Sequence, residues 1–167
     1  MLTYRTFQSP VGELTLVANA RALTGVFFRH CKRSEVIQGS WIATSPTAPR
    51  NDESILLEAQ QQLTEYFAGK RTQFDLPLEF TGTDFQKKVW AALLEIPYGQ
   101  TKSYADIAKQ VGLPKAVRAV GLANSKNPIS IIAACHRVIG SRGKLTGYAG
   151  GLHNKKYLLE LESAQMG

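Results

Sequence analysis

The sequence has little cysteine. Its two cysteines, Cys31 and Cys135, lie far apart in a chain of 167 residues, so the disulfide framework of small secreted domains is excluded. Both are expected to be free thiols in a reducing compartment. His30 next to Cys31 has no second pair of ligands at zinc-binding spacing, so no metal site is predicted. No cofactor is predicted either.

Long apolar runs are also absent. No segment reaches the roughly 18 apolar residues of a membrane span. The opening MLTYRTFQSPVGELTLV alternates, whereas a signal peptide has a basic stretch followed by an apolar one. The sequence therefore predicts a cytoplasmic protein with no membrane partner.

Acidic residues are scarce in the second half of the chain. Residues 1–84 contain 8 Lys/Arg and 9 Asp/Glu, a net charge of −1, whereas residues 85–167 contain 12 and 4, a net charge of +8. A basic half favours a polyanionic partner, most commonly nucleic acid. On charge alone, a basic surface that keeps the protein soluble is an equal explanation.

The first half of the chain is typical of a small α/β domain. The runs LTYRTF, ELTLVA and LTGVFFR within residues 2–29 are separated by turn signals and predict an antiparallel meander. Residues 52–70 begin with acidic residues, have apolar residues at helical spacing and reach a glycine near the end. This pattern predicts a helix that packs across the sheet. Residues 71–83 predict a connecting segment with at most short strands. We place the domain boundary between residues 76 and 77.

The second half, residues 77–167, predicts a mostly helical domain and makes the fold class α+β. Helical patterns cover residues 85–95, 115–124 and 151–162, and Ser103 is the predicted N-cap of a further helix that ends near Gly112. The tight turn at residues 111–114 predicts a winged-helix-like helix-turn-helix, whose second helix usually enters a DNA groove. Such helix pairs also occur as plain packing units.

One apolar segment brings together residues that carry chemistry, Cys135, His136 and Arg137. A cysteine is a nucleophile as its thiolate, which a nearby base or positive charge favours. Neighbouring side chains of an extended segment point to opposite faces, so His136 is expected to reach the thiol through a bridging water. Glu162 could orient the histidine. Taken alone, a buried cysteine is more often an inert small side chain.

These residues also belong to a longer pattern. Asn127-Pro128, Cys135-His136-Arg137-Val138, Gly147-Tyr148 and Gly150-Gly151 together resemble the active-site signature of O6-alkylguanine-DNA alkyltransferases. The resemblance runs from about Gly82 to Glu162 through FQKKVW, IPYGQTKSY, AVRAVGLAN and LLELE in the same order. More weakly, the preceding region resembles the family's smaller domain, which has a ribonuclease-H-like topology.

The resemblance implies DNA repair by direct reversal. A methyl or larger alkyl group would pass irreversibly from O6-alkylguanine, and from O4-alkylthymine, to Cys135, which makes the chain a single-turnover methylated-DNA–protein-cysteine methyltransferase. His136 matches the histidine that draws the thiol proton through a water, and Glu162 matches the carboxylate that holds that histidine. Asn127 matches the asparagine that braces the active-site turn.

The resemblance also implies how guanine is held. Tyr104 matches the tyrosine that donates to the leaving base, as oxyanion donors do in other enzymes. The N–H of Ala149 would face O6, and the carbonyls of Cys135 and Val138 would accept from the exocyclic amine. Tyr148 matches a residue of the pocket wall.

Four positions differ from the pattern or allow a second interpretation. Lys155 matches a residue that approaches the pocket, although a solvated surface position is an equal alternative. Ala134 stands where the family usually has proline, so we expect activity with a less rigid pocket. Ser130 and Ala149 replace residues found in other members.

The implied partner is double-stranded DNA that contains alkylated guanine. The damaged nucleotide must leave the base stack to reach the thiol, and Arg118 matches the arginine that fills the vacated space. By composition alone it would be a solvated helix charge. Small residues beside Arg118 permit close approach to the minor groove: Ala116, Val117, Ala119 and Gly121. Residues 30–50 are a candidate interface between neighbouring copies of the protein on DNA.

Two other functions remain open from the sequence. A non-catalytic sensor of alkylated DNA would bind the lesion with Cys135 unchanged. A thiol hydrolase that uses Cys135, His136 and Glu162 would turn over small esters or amides without DNA, although the basic half disfavours it.

Overall fold

The structure is a computed structural model that describes residues 2–29, 51–143, 145, 148 and 150–166, except the side chains of residues 51, 142 and 166. Its contacts divide the chain into two compact units, Met1–Glu79 and Phe80–Gly167. The boundary between residues 76 and 77 stays a prediction. Among the described helices, none is long and apolar enough to cross a membrane.

In its described residues, 2–29 and 51–79, the first unit is a three-stranded antiparallel sheet covered by one helix. Strands β1 (Thr3–Ser9), β2 (Gly12–Ala18) and β3 (Leu23–Phe28) lie in the order β1-β2-β3. Helix α1 (Asn51–Phe67) packs on all three strands. Residues three or four positions apart form its buried face: Leu56, Ala59, Leu63 and Tyr66. The predicted meander and helix are confirmed.

The segment after α1 returns to the sheet. The carbonyl of Pro77 accepts from the Leu23 N–H at 2.8 Å, and the N–H of Glu79 donates to the Leu23 carbonyl at 3.0 Å. Leu78 thereby makes a single parallel bridge to Leu23. This agrees with the predicted connecting segment with at most short strands.

The described part of the second unit contains four α-helices around one core. Helices α2 (Asp84–Leu94), α3 (Tyr104–Gln110), α4 (Val117–Ser125) and α5 (Leu152–Met166) correspond to the four predicted helices. Trp90 on α2 is 2% exposed and donates its indole N–H to the Ala123 carbonyl on α4 at 2.9 Å. This bond ties α2 to the helix that follows the predicted turn. Helices α3 and α4 pack together across that turn, and their winged-helix-like arrangement stays a prediction.

Capping side chains begin two of these helices. The Thr83 side chain accepts from the Gln86 N–H, and the Gln86 side chain accepts from the Thr83 N–H. Ser103 and Asp106 make the same reciprocal pair at α3. Ser103 is therefore confirmed as the N-cap of the second helix.

A short parallel pairing lies beside α3. Strands β4 (Lys102–Ser103) and β5 (Val138–Ile139) pair in the register Lys102 to Val138 and Ser103 to Ile139. The pairing joins the start of α3 to the segment that follows Cys135. The sequence pattern did not predict it.

Candidate active site

Cys135 lies in the interior of the second unit. Its side chain is 2% exposed, and it begins a turn of 3-10 helix that spans Cys135–Arg137. The extended conformation expected for this segment is therefore wrong. The turn forms because the Arg137 N–H donates to the Ala134 carbonyl at 3.0 Å and the Val138 N–H donates to the Cys135 carbonyl. It buries all three consecutive side chains.

The turn brings His136 against α5. His136 Nε2 lies 2.6 Å from Glu162 Oε2, and both side chains are almost fully buried. A carboxylate at Nε2 favours the proton on that nitrogen, which leaves Nδ1 as an acceptor when the ring is neutral. Nδ1 has no hydrogen-bond partner among the described residues. Burial lowers the pKa of His136, against the opposing effect of Glu162, so the ring is a neutral base at pH 7.

Arg137 completes this buried group. Its Nε donates to Glu162 Oε1 at 2.5 Å, and its Nη1 donates to the Ile96 carbonyl at 2.6 Å. The guanidinium carbon lies 5.6 Å from the centre of the Tyr98 ring. Burial by itself would raise the pKa of Glu162, but the hydrogen bonds and charges of His136 and Arg137 bring it down to about 2. Glu162 is therefore ionised at neutral pH.

The part that Arg137 plays was missed in the sequence analysis. A signal was present, because Arg137 stands in the apolar run IIAACHRVIG and a charge buried there needs a partner. The resemblance assigned Glu162 to His136 alone. The structure shows one carboxylate shared by a histidine and an arginine.

Asn127 braces the turn that leads to Cys135. Its Nδ2 donates to the carbonyls of Ala133 at 2.8 Å and Ile129 at 3.3 Å, and its Oδ1 accepts from the Ile129 N–H at 3.0 Å. The side chain is 4% exposed. Asparagine fits this position because one short side chain offers a donor and an acceptor to backbone groups that the core hides from water.

Lys155 on α5 is a buried cation whose charge acts on Cys135. It is 0% exposed, and its Nζ donates to the Val138 carbonyl at 2.6 Å. The solvated surface position considered for Lys155 is therefore wrong. Burial lowers the pKa of Lys155, and the charge of the Cys135 thiolate opposes that shift. The Val138 carbonyl keeps its second lone pair for another donor.

Burial and polar neighbours act in opposite directions on the thiol. Burial raises the pKa of Cys135 above its ordinary value. Four groups lower it: the Asn127 side chain, the Lys155 charge and the backbone N–H groups of Ile131 and Cys135. The effect of burial is the larger, so the thiol stays protonated at neutral pH until a base removes its proton.

Two tyrosines lie near the cysteine. Tyr104 and Tyr148 are half-buried and pack against the core cluster that contains Cys135. The Tyr104 ring also lies over α4, because a Cβ placed on Gly121 would be 3.9 Å from two of its ring carbons. Ala149 lies outside the described residues, so the contact expected of its N–H stays a prediction.

Helix α4 has a buried side and an exposed side. Val120 and Ala123 face the core, whereas Arg118 and its neighbours Val117 and Ala119 are exposed. Ala116 and Gly121 are half-buried. The helix therefore presents Arg118 to solvent from among small residues, as its predicted contact with DNA requires.

The described residues contain no group of His, Cys, Asp and Glu side chains that could hold a metal ion. The adjacent pair His30 and Cys31, and the candidate interface at residues 30–50, lie outside the described residues. Fold and site together define a protein with a buried cysteine next to a buried histidine, which is paired with a carboxylate, in a helical unit.

Comparison with known proteins gives the family. Residues 2–80 match 6-O-methylguanine DNA methyltransferase, ribonuclease-like domain, and residues 84–164 match 6-O-methylguanine DNA methyltransferase, DNA binding domain. The chain therefore belongs to the 6-O-methylguanine DNA methyltransferase family. The ribonuclease-like assignment of the first unit is confirmed as well.

Individual relatives are similar over nearly their whole length. The methylated-DNA–protein-cysteine methyltransferase of Mycobacterium tuberculosis is 49% identical over 99% of this chain and 94% of its own length. The protein of the same name from Methanosarcina acetivorans is 49% identical over 96% of this chain and 98% of its own. A crystal structure of Mycobacterium tuberculosis OGT in complex with DNA has a TM-score of 0.86 at 49% identity, covering 98% of this chain and 94% of that one.

Proposed function

We propose that the chain repairs double-stranded DNA by moving a methyl or larger alkyl group from O6 of guanine to Sγ of Cys135. The arrangement around Cys135 carries the proposal, because the thiol has a neutral buried base beside it in the chain and polar groups near it that lower its pKa. The family and the names of the relatives support the same reaction. Each molecule acts once.

The proton leaves the sulfur first. It passes through a water to His136 Nδ1, and Glu162 stabilises the imidazolium that forms, as in hydrolase triads. The sulfur then attacks the alkyl carbon. The S–C bond forms as the C–O6 bond breaks, and the electron pair of that bond remains on guanine. Because a thioether is a poor leaving group, Cys135 is not regenerated.

The leaving base takes up the negative charge. Tyr104 donates its phenolic proton to the base, and the proton held by His136 returns to the Tyr104 phenolate, so that both side chains end neutral. The N–H of Ala149 and the carbonyls of Cys135 and Val138 hold the guanine edge, and Tyr148 forms the pocket wall. Lys155 stabilises the thiolate by its charge and holds the Val138 carbonyl. No cofactor enters these steps.

DNA is bound through α4. The damaged nucleotide leaves the stack, and Arg118 enters from the minor groove to fill its place. Ala116, Val117, Ala119 and Gly121 allow the helix to approach closely. The solved complex of a relative with DNA supports this partner. We also propose that the protein is cytoplasmic and that neighbouring copies contact each other on DNA.

Mass spectrometry tests the reaction directly. The protein is mixed with a duplex that carries one O6-methylguanine, and its intact mass and peptide masses are measured. We expect one methyl group per chain, on Cys135, and none in Cys135→Ala. A parallel duplex with O4-methylthymine tests the second substrate.

Other outcomes would point to the two alternatives. Lesion binding with an unchanged protein mass would indicate a non-catalytic sensor. Repeated turnover of small esters without DNA would indicate a hydrolase. Either result would refute the transfer reaction.

A further inference from the structure

The turn that follows α2 contacts both members of a buried ion pair, Arg137 and Glu162. The Ile96 carbonyl accepts from Arg137 Nη1 at 2.6 Å, and the guanidinium lies over the Tyr98 ring. The Gly99 N–H donates to Glu162 Oε1 at 3.3 Å. Gly99 itself is exposed, yet its N–H reaches a carboxylate on a residue that is only 1% exposed.

The conformation of this turn determines where the Gly99 N–H points. The Gln100 N–H donates to the Pro97 carbonyl at 3.1 Å, which closes a β-turn with Tyr98 and Gly99 at its centre. Gly99 has a φ of 77°, whereas the φ of Tyr98 is negative, so the turn is type II. Types I and II differ in the orientation of the central peptide group. In this turn the central N–H meets the carboxylate.

The two oxygens of Glu162 have different main partners. Oε2 lies 2.6 Å from His136 Nε2. Oε1 accepts from Arg137 Nε at 2.5 Å and from the Gly99 N–H. A cavity of about 290 Å³ is lined by Gly99 and Glu162 among others. A water there would satisfy Oε1 without fixing its position, whereas an N–H in a closed turn does both.

We infer that Gly99 is a positioning residue, whose backbone N–H holds Oε1 of Glu162 so that Oε2 stays on His136 Nε2. The inference rests on the proposed function, in which His136 takes up the thiol proton and Glu162 stabilises the imidazolium. A carboxylate that is already fixed does this without rearranging during the reaction. Glycine fits the position because it adopts a positive φ without strain.

Replacing one amide by an ester tests the inference. Glycolic acid is introduced in place of Gly99 in the full chain, which removes the N–H and changes no side chain. Methyl transfer from an O6-methylguanine duplex is then measured in single turnovers over a range of DNA concentrations. We expect the rate at saturating DNA to fall about tenfold, the order of one hydrogen bond to a charged group. The half-saturating DNA concentration should not change.

Glycolic acid at Gly69 is the matched control. Gly69 also has a positive φ, of 74°, but its N–H donates to the neutral Tyr66 carbonyl at 3.0 Å in the first unit. This ester may lower the urea midpoint and should leave the saturating rate unchanged. A loss of stability alone therefore does not imitate the expected result.

Two side-chain variants test the same point without an ester. Gly99→Asn keeps the N–H, and asparagine tolerates a positive φ, so it should retain most of the saturating rate. Gly99→Val also keeps the N–H, but a β-branched residue disfavours this φ. The turn should then change type and direct the N–H away from Glu162, and the rate should fall as in the ester.

A folded Gly99 ester with the wild-type saturating rate would overturn the inference, and so would equal slowing in the two esters. Both results leave the proposed function intact, because the wild-type protein still transfers the methyl group in the same assay. A wild-type protein that transfers no methyl group would instead refute the proposed function, and the inference with it.

Discussion

Arg137 shows how burial changes the contribution of an ion pair to the stability of the protein. Its guanidinium shares Glu162 with His136 inside the protein, where Arg137 is 8% and Glu162 1% exposed at the side chain. Arg71 and Glu65 make a similar contact at 2.7 Å, with the two side chains 29% and 31% exposed. Water screens the second pair and not the first.

We expect Arg137→Ala to lower the free energy of unfolding by about 3–5 kcal/mol, because Glu162 loses its permanent cation while still buried. Urea unfolding at pH 7 measures the loss. Arg71→Ala is the matched control and should produce a much smaller change. Equal losses in the two variants would contradict the argument from burial.

Ala134 can be compared with the proline that the family usually has. Its φ of −77° and ψ of 63°, with the Cys135 N–H bonded to the Ala133 carbonyl at 2.7 Å, describe an inverse γ-turn. Proline adopts this φ, and the Ala134 N–H donates to no other residue within the described parts of the chain.

Ala134→Pro should therefore stabilise the protein by about 0.4–1 kcal/mol, because proline lowers the conformational entropy of the unfolded chain. The rate of methyl transfer should be retained. Thermal unfolding and the transfer assay measure the two effects. Ala133→Pro is the control that should destabilise, because its N–H donates to the Ile129 carbonyl. If both prolines destabilise, the turn is not compatible with proline.

The sequence allowed some of these residues to be recognised and not others. Cys135, His136 and Glu162 stand in a motif whose members have known chemistry. The brace by Asn127 came from the same motif, and its bonds are visible in the structure. Ile131 has a φ of 73°, and this conformation could not be predicted, because isoleucine disfavours a positive φ.

At the scale of elements, the start of α3 determines where Tyr104 stands. Tyr104 is the first residue of the helix, Ser103 caps it, and Ser103 also pairs with Ile139 in the β4–β5 ladder. Thr83 makes the same kind of cap at α2. Only the cap at α3 holds a residue of the candidate active site in place.

We expect Ser103→Ala and Thr83→Ala each to lower stability by about 1 kcal/mol, the usual value of an N-cap. Only Ser103→Ala should also slow methyl transfer, because it loosens the helix end that carries Tyr104. Its reaction with iodoacetamide should be unchanged, since the thiol is untouched. A similar slowing of transfer in both variants would argue against a link through Tyr104.

Helices were easier to predict than the strands of the second unit. The four helices have apolar spacing over several turns, and Ser103 is a recognisable cap residue. Strands β4 and β5 are two residues each and come from distant segments. A pairing that short leaves no periodic pattern, so it follows from tertiary packing alone.

At the scale of the whole molecule, buried ionisable groups link stability to pH. Burial holds the pKa of His136 below its ordinary 6.5. His136 and Arg137, against the effect of burial, hold that of Glu162 at about 2, below its ordinary 4.5. For both groups the unfolded chain binds a proton at a higher pH than the folded protein, so acid favours unfolding.

The melting temperature should therefore fall as the pH drops below 6.5, and fall further between 4.5 and about 2. Calorimetry across this range measures the profile. His136→Gln should remove the first part of the fall, whereas Glu65→Gln, at a half-buried carboxylate of the first unit, should retain it. A wild-type melting temperature that is constant from pH 7 to about pH 5 would contradict a buried neutral His136.

The division of the chain into two units is also visible in the distribution of charge along the sequence. The excess of basic residues begins near Asp84, close to the point where the structure divides the chain after Glu79. Charge could indicate a polyanionic partner but not the residues that meet it. Those depend on which side of α4 the core leaves exposed.

The partners of Cys135 on α5 have a consequence for the order of synthesis. Lys155 and Glu162 follow the cysteine in the chain, and a ribosome releases residues from the N-terminus onward. A nascent chain therefore exposes its cysteine before the groups that activate it exist. The site around Cys135 is therefore complete only when the last helix docks, so its assembly is among the last events of the protein's synthesis.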